Sequence, residues 1–495
     1  MVGLAPKFDL LREHWGVLAA TDEPGRRVLN VVAPFSGQMI AQVDVAGERH
    51  VQDALFAAFS MFRQKDRWLS VQRRIHVLKK VDQLLGDNDA LLAREAARES
   101  GRALRWCRDD VLQARLDARA GIAQLQRQLT QTIATGPVCA LDQDKPLVRF
   151  SLAEPIGAVV AVLGRESPLR YAARTLFAAV AAGCPVVIKP AEDVPLSCLR
   201  LVHLLHEAGL PHVWCQSVVT ETHEITRQLA TDPRVALFSF CGSADIGWSL
   251  RSQLSPGTRA LLDHGSLMPA ILTQDADLEL AAEVIADSGF MQKADGGEAI
   301  RRVFVPAGVG VEFAALLKRR SEAIVIGDPL QESTELGVLT RAEGPRQTQQ
   351  WVEDAANAGG EVFCGGKSVG LQGYLPTVVL DPPLDSKVST QPVSAPLVVL
   401  HSVDSDEQAC ERANALPLAR SALIFTASSE RAAQLSRLLD ATSIGINQQP
   451  DNDHSHLNGS GFRRSGLGGI GLEASLNAMQ VEKAIEVAAW QPEPL

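Results

Sequence analysis

The feature that most constrains this chain is an alternation that begins near residue 154. A continuous apolar run, IGAVVAVLG (156–164), ends at a glycine and suits a strand buried on both faces. A helical stretch follows (169–182), then CPVVIKP (184–190), a second helix (197–208), VWCQSVV (213–219), a third helix and ALFSF (236–240). Strands alternating with helices of roughly 10–15 residues mark βαβ units and a parallel sheet. Open sheets of this kind take ligands at the carboxyl ends of their strands. The loops after Leu163, Ile188 and Phe240 are therefore the places to look for a site.

The same rhythm returns after residue 299. AIRRVFVPA, GEVFCGG, LVVLHSV, SALIFTA and SIGIN read as strands, with helices over 311–320, 346–358, 406–415 and 429–440. Ahead of both stretches, residues 51–134 carry apolar side chains at helical spacing, among them Leu78, Val81, Leu84 and Leu85. Residues 1–50 read as short strands around a turn at Pro34 and Gly37.

Composition narrows the function classes. With 48 Lys and Arg against 58 Asp and Glu, the net charge of −10 disfavours a general nucleic-acid binder. No apolar run reaches the roughly 18 residues of a membrane span. Met1–Leu10 lacks an apolar core, so no secretion signal is expected. None of the 8 cysteines forms a Cys-x-x-Cys pair, and no Cys/His cluster points to zinc. Free thiols in a cytoplasmic protein are the expectation.

Seven segments then occur in one order. They are VVIKPAEDVP, FSFCGSADIG, PAILTQDADLELAA, RRVFV, IGDPLQESTELGVL, GYLPTVV and FRRSGLGGIG. In order and spacing they resemble the aldehyde dehydrogenase superfamily, from about residue 30 to 485. The resemblance implies an α/β fold of two Rossmann-like three-layer α/β/α domains with a β-hairpin oligomerisation arm. On this chain 1–125 and 153–262 would form the dinucleotide-binding domain and 263–465 the catalytic-type domain. Residues 126–152 and 466–495 would form the arm and C-terminal segment. A homodimer or homotetramer is implied, or pairing with an active relative.

The resemblance also implies a mechanism, and the chain departs from it at three places. Family members oxidise aldehydes with NAD or NADP through a cysteine thiolate, an Asn side chain that helps hold the oxyanion, and a Glu that activates water. Counting back from Arg302, the cysteine position falls on Gly297, which has no side chain to attack with. The oxyanion Asn becomes Glu166, which repels an oxyanion when ionised. The general-base Glu becomes Asp263, one methylene shorter.

The cofactor side is mixed. Lys189 and Glu192 match the family's adenosine-ribose contacts, and Gly242, Ser243 and Gly247 match its pyrophosphate loop. The segment that holds the nicotinamide ribose reads PVSAP, with Pro392 and Ser394 in place of Glu and Phe. NAD is thus expected through the adenosine half-site only, and Glu192 disfavours a 2′-phosphate. Plainer readings stand beside these: a Lys189–Glu192 salt bridge capping a helix, and Ser243 as a simple N-cap.

Glu166, Asp263, His264, Asp295 and Glu298 make an acidic set with one imidazole, but a solvated pocket without chemistry outweighs a cation site there, and no metal is expected. His454 and His456 read as part of a polar loop, and GLGGIG (466–471) as a loop rather than a dinucleotide fingerprint. Tyr171 and Tyr374 read as structural. The sequence therefore favours a family member that has lost aldehyde oxidation and serves as a structural or regulatory subunit. The alternative is an active oxidoreductase using Asp263 and an unexpected thiol, or other acid–base chemistry at the acidic set.

Overall fold

The computed structural model describes residues 14–131 and 147–488, apart from 22, 26, 221, 266, 292–298, 394, 450–460 and 470. Its centre is a six-stranded sheet. The strands run Gly466–Leu467, Arg259–His264, Val235–Gly242, Ala158–Leu163, Val186–Lys189 and Cys215–Ser217 across it. All neighbours are parallel except the first pair, where Leu467 lies opposite Leu262.

Chain order explains where a site can form. From Ala158–Leu163 the chain first winds to one side, then returns to Val235–Gly242 on the other. The crevice at that reversal is the topological switch point. The two backbones close on each other there: a Cβ at Gly164 would stand 3.1 Å from the Cys241 carbonyl oxygen.

The packing follows from the sequence. Ala158–Leu163 is buried at every residue. The helix Pro168–Ala182 starts with proline at its first turn, ends at Gly183 in the left-handed region, and buries every residue except Tyr171. It is covered by the helices Val71–Asp87 and Leu104–Gln131, as the apolar spacing over 51–134 predicts. The run expected as a strand at 213–219 is shorter than that. Pro211 starts a 3₁₀ turn at His212–Trp214, which leaves only Cys215–Ser217 in the sheet.

A second, seven-stranded sheet holds Met268–Leu272 and Ile300–Pro306 at its centre, flanked by Leu397–Val403 and Ser421–Phe425. Its one antiparallel pair is the edge strand Glu361–Cys364 against Thr377–Leu380. Outside both sheets, Leu147–Pro155 pairs antiparallel with Gln480–Ala488 over nine residues, forming a two-stranded arm. Among the described residues no helix is long and apolar enough to cross a membrane.

Candidate active site at the switch point

Asp263 sits near the end of Arg259–His264, and strand pairing sets Cys241 directly beside it. Two arginines reach the carboxylate. Arg420 donates to Oδ1 at 2.8 Å, and Arg174 Nη1 stands 3.7 Å from Oδ2. Arg174 rises from the buried helix Pro168–Ala182, and Arg420 precedes Ser421–Phe425 of the second sheet. A cavity of about 30 Å³ opens here, bordered by Tyr171, Arg174, Cys241 and Ser475.

Among the described residues Cys241 is the thiol next to Asp263, and its surroundings keep it protonated. Burial pushes its pKa well above the ordinary thiol value, and Asp263 and Glu166 add to the effect. A thiol held protonated is a poor nucleophile. The seven cysteines among the described residues are all free.

Glu166 is half-buried, two residues ahead of the helix that starts at Pro168. Burial raises its carboxyl above the usual range, against the opposing pull of Arg165, Arg301 and Arg102. The repulsion expected of an ionised Glu166 is therefore opposed by its surroundings, which disfavour the charged form. A carboxyl raised this way tends toward the neutral acid, whose O–H donates a hydrogen bond.

His264 points away from this cavity. Its Nδ1–H donates to the Gly242 carbonyl at 2.9 Å, and its ring packs near Phe240 and Trp248. Burial lowers its pKa, so the ring is neutral, and Nε2 is a buried acceptor with no partner among the described residues. Gly297, Asp295 and Glu298 lie outside the described residues. Of the acidic set, the structure thus brings together Asp263 and Glu166. Among the described residues no three His, Cys, Asp or Glu side chains are placed to hold a metal ion.

On the cofactor side, Lys189 ends its strand and pairs with Glu192 at 3.1 Å. Against burial, Lys189 holds the Glu192 carboxyl below its usual range. The pair does not cap the following helix. Glu99 does that, accepting from the Leu196 and Ser197 N–H groups at 2.7 and 2.8 Å. Ser243 occupies the N-cap of Ala244–Arg251, yet its side chain makes no capping bond and stays available. Gly242 has φ of +150°, which only glycine adopts readily.

Gly247 also makes room for a neighbouring side chain. A Cβ there would stand 2.1 Å from His264 Cε1, so the missing side chain makes room for the imidazole. Pro392 is exposed and Ser394 is outside the described residues. Lys189, Glu192, Gly242 and the unused Ser243 hydroxyl at a helix N-terminus fit the adenosine and phosphate portions of NAD(P).

The chain matches the profile described as Aldehyde dehydrogenase family across residues 20–485. It belongs to the aldehyde dehydrogenase family. It is 28% identical to 3-sulfolactaldehyde dehydrogenase of Priestia megaterium, over 92% of this chain and 94% of that one. It is 27% identical to mitochondrial succinate-semialdehyde dehydrogenase of Arabidopsis thaliana, over 92% and 85%. Among solved structures, an NAD-dependent aldehyde dehydrogenase from Sinorhizobium meliloti superposes with TM-score 0.88 at 24% identity, covering 98% of this chain and 96% of that one. A glyceraldehyde-3-phosphate dehydrogenase from Methanocaldococcus jannaschii, complexed with NADP, superposes with TM-score 0.86 at 20% identity, covering 93% and 99%. The fold is thus the two-domain α/β fold that the motif order implies. The family is NAD(P)-linked, and the comparisons lend no support to limiting binding to the adenosine half.

Sequence reasoning missed Arg174, Arg420 and the place of Cys241; Tyr171, read as structural, borders the cavity. One signal was present. Arg170 and Arg174 stand four apart in an otherwise apolar helix, where unpaired charge is costly.

Proposed function

We propose that this chain is an NAD(P)-linked oxidoreductase acting on a small anionic aldehyde, by a route that needs no cysteine adduct. The observation that carries the reading is the arginine pair at Asp263, with Arg420 at 2.8 Å and Arg174 at 3.7 Å. The relatives supply the substrate class. Their names are those of dehydrogenases, and 3-sulfolactaldehyde and succinate semialdehyde each carry an anion beside the aldehyde.

The chemistry starts from the hydrated aldehyde. A gem-diol carbon is already tetrahedral, so its oxidation to an acid needs one O–H proton removed and one hydride accepted, with no thiol. NAD(P), when bound, supplies the hydride acceptor. Lys189, Glu192 and Ser243 hold its adenosine and phosphate portions. Asp263 takes the proton. The substrate anion takes Arg174, the looser of the two partners, while Arg420 keeps Asp263 in place. Glu166, whose carboxyl burial raises above its usual range, would donate to a diol oxygen in its protonated form.

The test is cofactor reduction by the purified chain with succinate semialdehyde and with an uncharged aldehyde of equal length. Turnover with the anionic substrate, lost in Asp263→Asn and kept in Cys241→Ser, is expected. Loss in Cys241→Ser would overturn the adduct-free route.

A second reading is the non-catalytic structural or regulatory subunit. It is favoured by the ion pairs that engage both Asp263 oxygens and by a cavity of only about 30 Å³, roughly the share of one water. Intact NAD binding with no turnover of any aldehyde selects it. In either reading the open edges of the two-stranded arm suit a homodimer or homotetramer, and the free thiols suit a cytoplasmic location. Sedimentation and fractionation test these.

A further inference from the structure

A larger cavity, of about 500 Å³, lies away from Asp263. It forms where the helix Asp89–Ser100, the start of the helix Leu196–Glu207, the N-terminal strands and loop 328–330 meet. That volume is within the usual range for small-molecule sites, about 300–1,000 Å³. Phe35, Ile40, Leu91 and Leu330 supply accessible apolar wall.

The charges on the wall do not cancel. Glu95 and Arg200 neutralise each other at 2.9 Å, with the Arg200 guanidinium laid over the Trp15 ring. Asp328 is turned to its own loop, accepting from the Leu330 N–H. Arg94 and Arg98 remain. They stand four residues apart, on one face of the helix, both exposed and both lining the cavity. Among the described residues neither makes an ion pair or a hydrogen bond. Like charges at this spacing repel and weaken a helix. Arg98 lies in the last turn, where the helix dipole favours a cation, while Arg94 is opposed only at longer range by Glu332, whose ion pair is with Arg108.

We infer that this cavity binds a small amphipathic carboxylate, with its head between Arg94 and Arg98 and its apolar body against Phe35, Ile40 and Leu330. An anion there removes the repulsion between the two guanidiniums. The apolar body gains from leaving water for a wall that is already formed. The site is separate from the one at Asp263, so it stands whether or not the chain turns over an aldehyde.

The test is calorimetric titration of the full chain with octanoate. Octyltrimethylammonium carries a comparable tail with the opposite charge, and acetate carries the head alone. Saturable binding of octanoate only is expected, weakened about tenfold or more in Arg94→Gln/Arg98→Gln and unchanged in Lys189→Ala. Both arginines are exposed, so the double variant keeps its fold, and an unchanged melting temperature verifies this. The inference is overturned by no saturable octanoate binding, by equal binding of the ammonium, or by an unaffected double variant. Loss of binding in Lys189→Ala also overturns it, since the ligand would then be in the nucleotide site.

Discussion

Arg420 donates to Asp263 at 2.8 Å and so links the end of Arg259–His264 in one sheet to the start of Ser421–Phe425 in the other. The guanidinium is almost fully buried, at 5% exposure, so its charge depends on what faces it. Removing one partner of a buried pair typically costs about 3–5 kcal/mol, because the other charge stays desolvated. Asp263 is at 18% exposure, which places the expected loss in Asp263→Ala at the lower end, about 3 kcal/mol. Asp263→Asn, which still accepts from Arg420, should lose less. Urea denaturation of both variants checks this. Equal stability of wild type and Asp263→Ala would mean that the pair contributes nothing to holding the sheets together.

Gly247 and His264 form a matched pair. The ring of His264, fixed by its bond to the Gly242 carbonyl, occupies the space a Cβ on residue 247 would need. Gly247→Ala should therefore destabilise the chain by about 1–3 kcal/mol, the usual cost of overpacking. In a His264→Ala background the same change should cost much less. A double-mutant cycle measures the coupling. Simple additivity would show that the ring moves aside freely.

Lys189 is at 8% side-chain exposure and already has Glu192 at 3.1 Å. If it also serves the adenosine ribose, Lys189→Ala should weaken NAD binding about tenfold, the scale of one charge-assisted hydrogen bond. Titration calorimetry reads this directly. An unchanged dissociation constant would reduce the ion pair to a structural role.

Much of the scaffold is legible in sequence because local signals and tertiary context agree. Ala158–Leu163 is a continuous apolar run and proves to be buried at every residue. The helix after it opens with Pro168 and closes at Gly183. The site is less legible, since its partners are far apart in the chain. Asp263 and Arg420 are 157 residues apart, and no periodicity connects them. Cys241 comes beside Asp263 only through strand register. The motif count assigns Gly247 to a phosphate loop, and spacing cannot reveal that a neighbouring imidazole also needs its missing side chain. Whether Glu166 is ionised is likewise not legible in sequence, because burial raises its carboxyl and burial is a property of the fold. Gly297, by contrast, is a matter of sequence alone.

The last prediction concerns acid stability and rests on two histidines the site does not use. His401 lies 2% exposed in the second sheet, its ring stacked near Phe304 and its Nε2 3.3 Å from the Ser389 hydroxyl. Burial lowers its pKa to about 4, and the nearby Arg302 guanidinium adds to the effect. His206 is also lowered to about 4, chiefly by burial, while its Nε2–H donates to the Cys215 carbonyl at 2.7 Å. Both values lie below the unfolded value of about 6.5. Between pH 6.5 and 4 the unfolded chain therefore binds protons that the folded chain does not. The stability associated with the neutral rings is fully present above about pH 6.5 and is lost as pH falls toward 4. Each ring contributes a slope of up to about 1.4 kcal/mol per pH unit in that window. Carboxylates add their own acid slope, so the informative quantity is the difference between wild type and variant. His401→Gln should lower stability at pH 7, where the neutral ring packs well, yet flatten the pH dependence between 6.5 and 4 by about one proton's worth. Denaturant midpoints across that range, for wild type, His401→Gln and His206→Gln, decide the matter. Parallel curves for all three would mean that neither ring is held neutral by the fold.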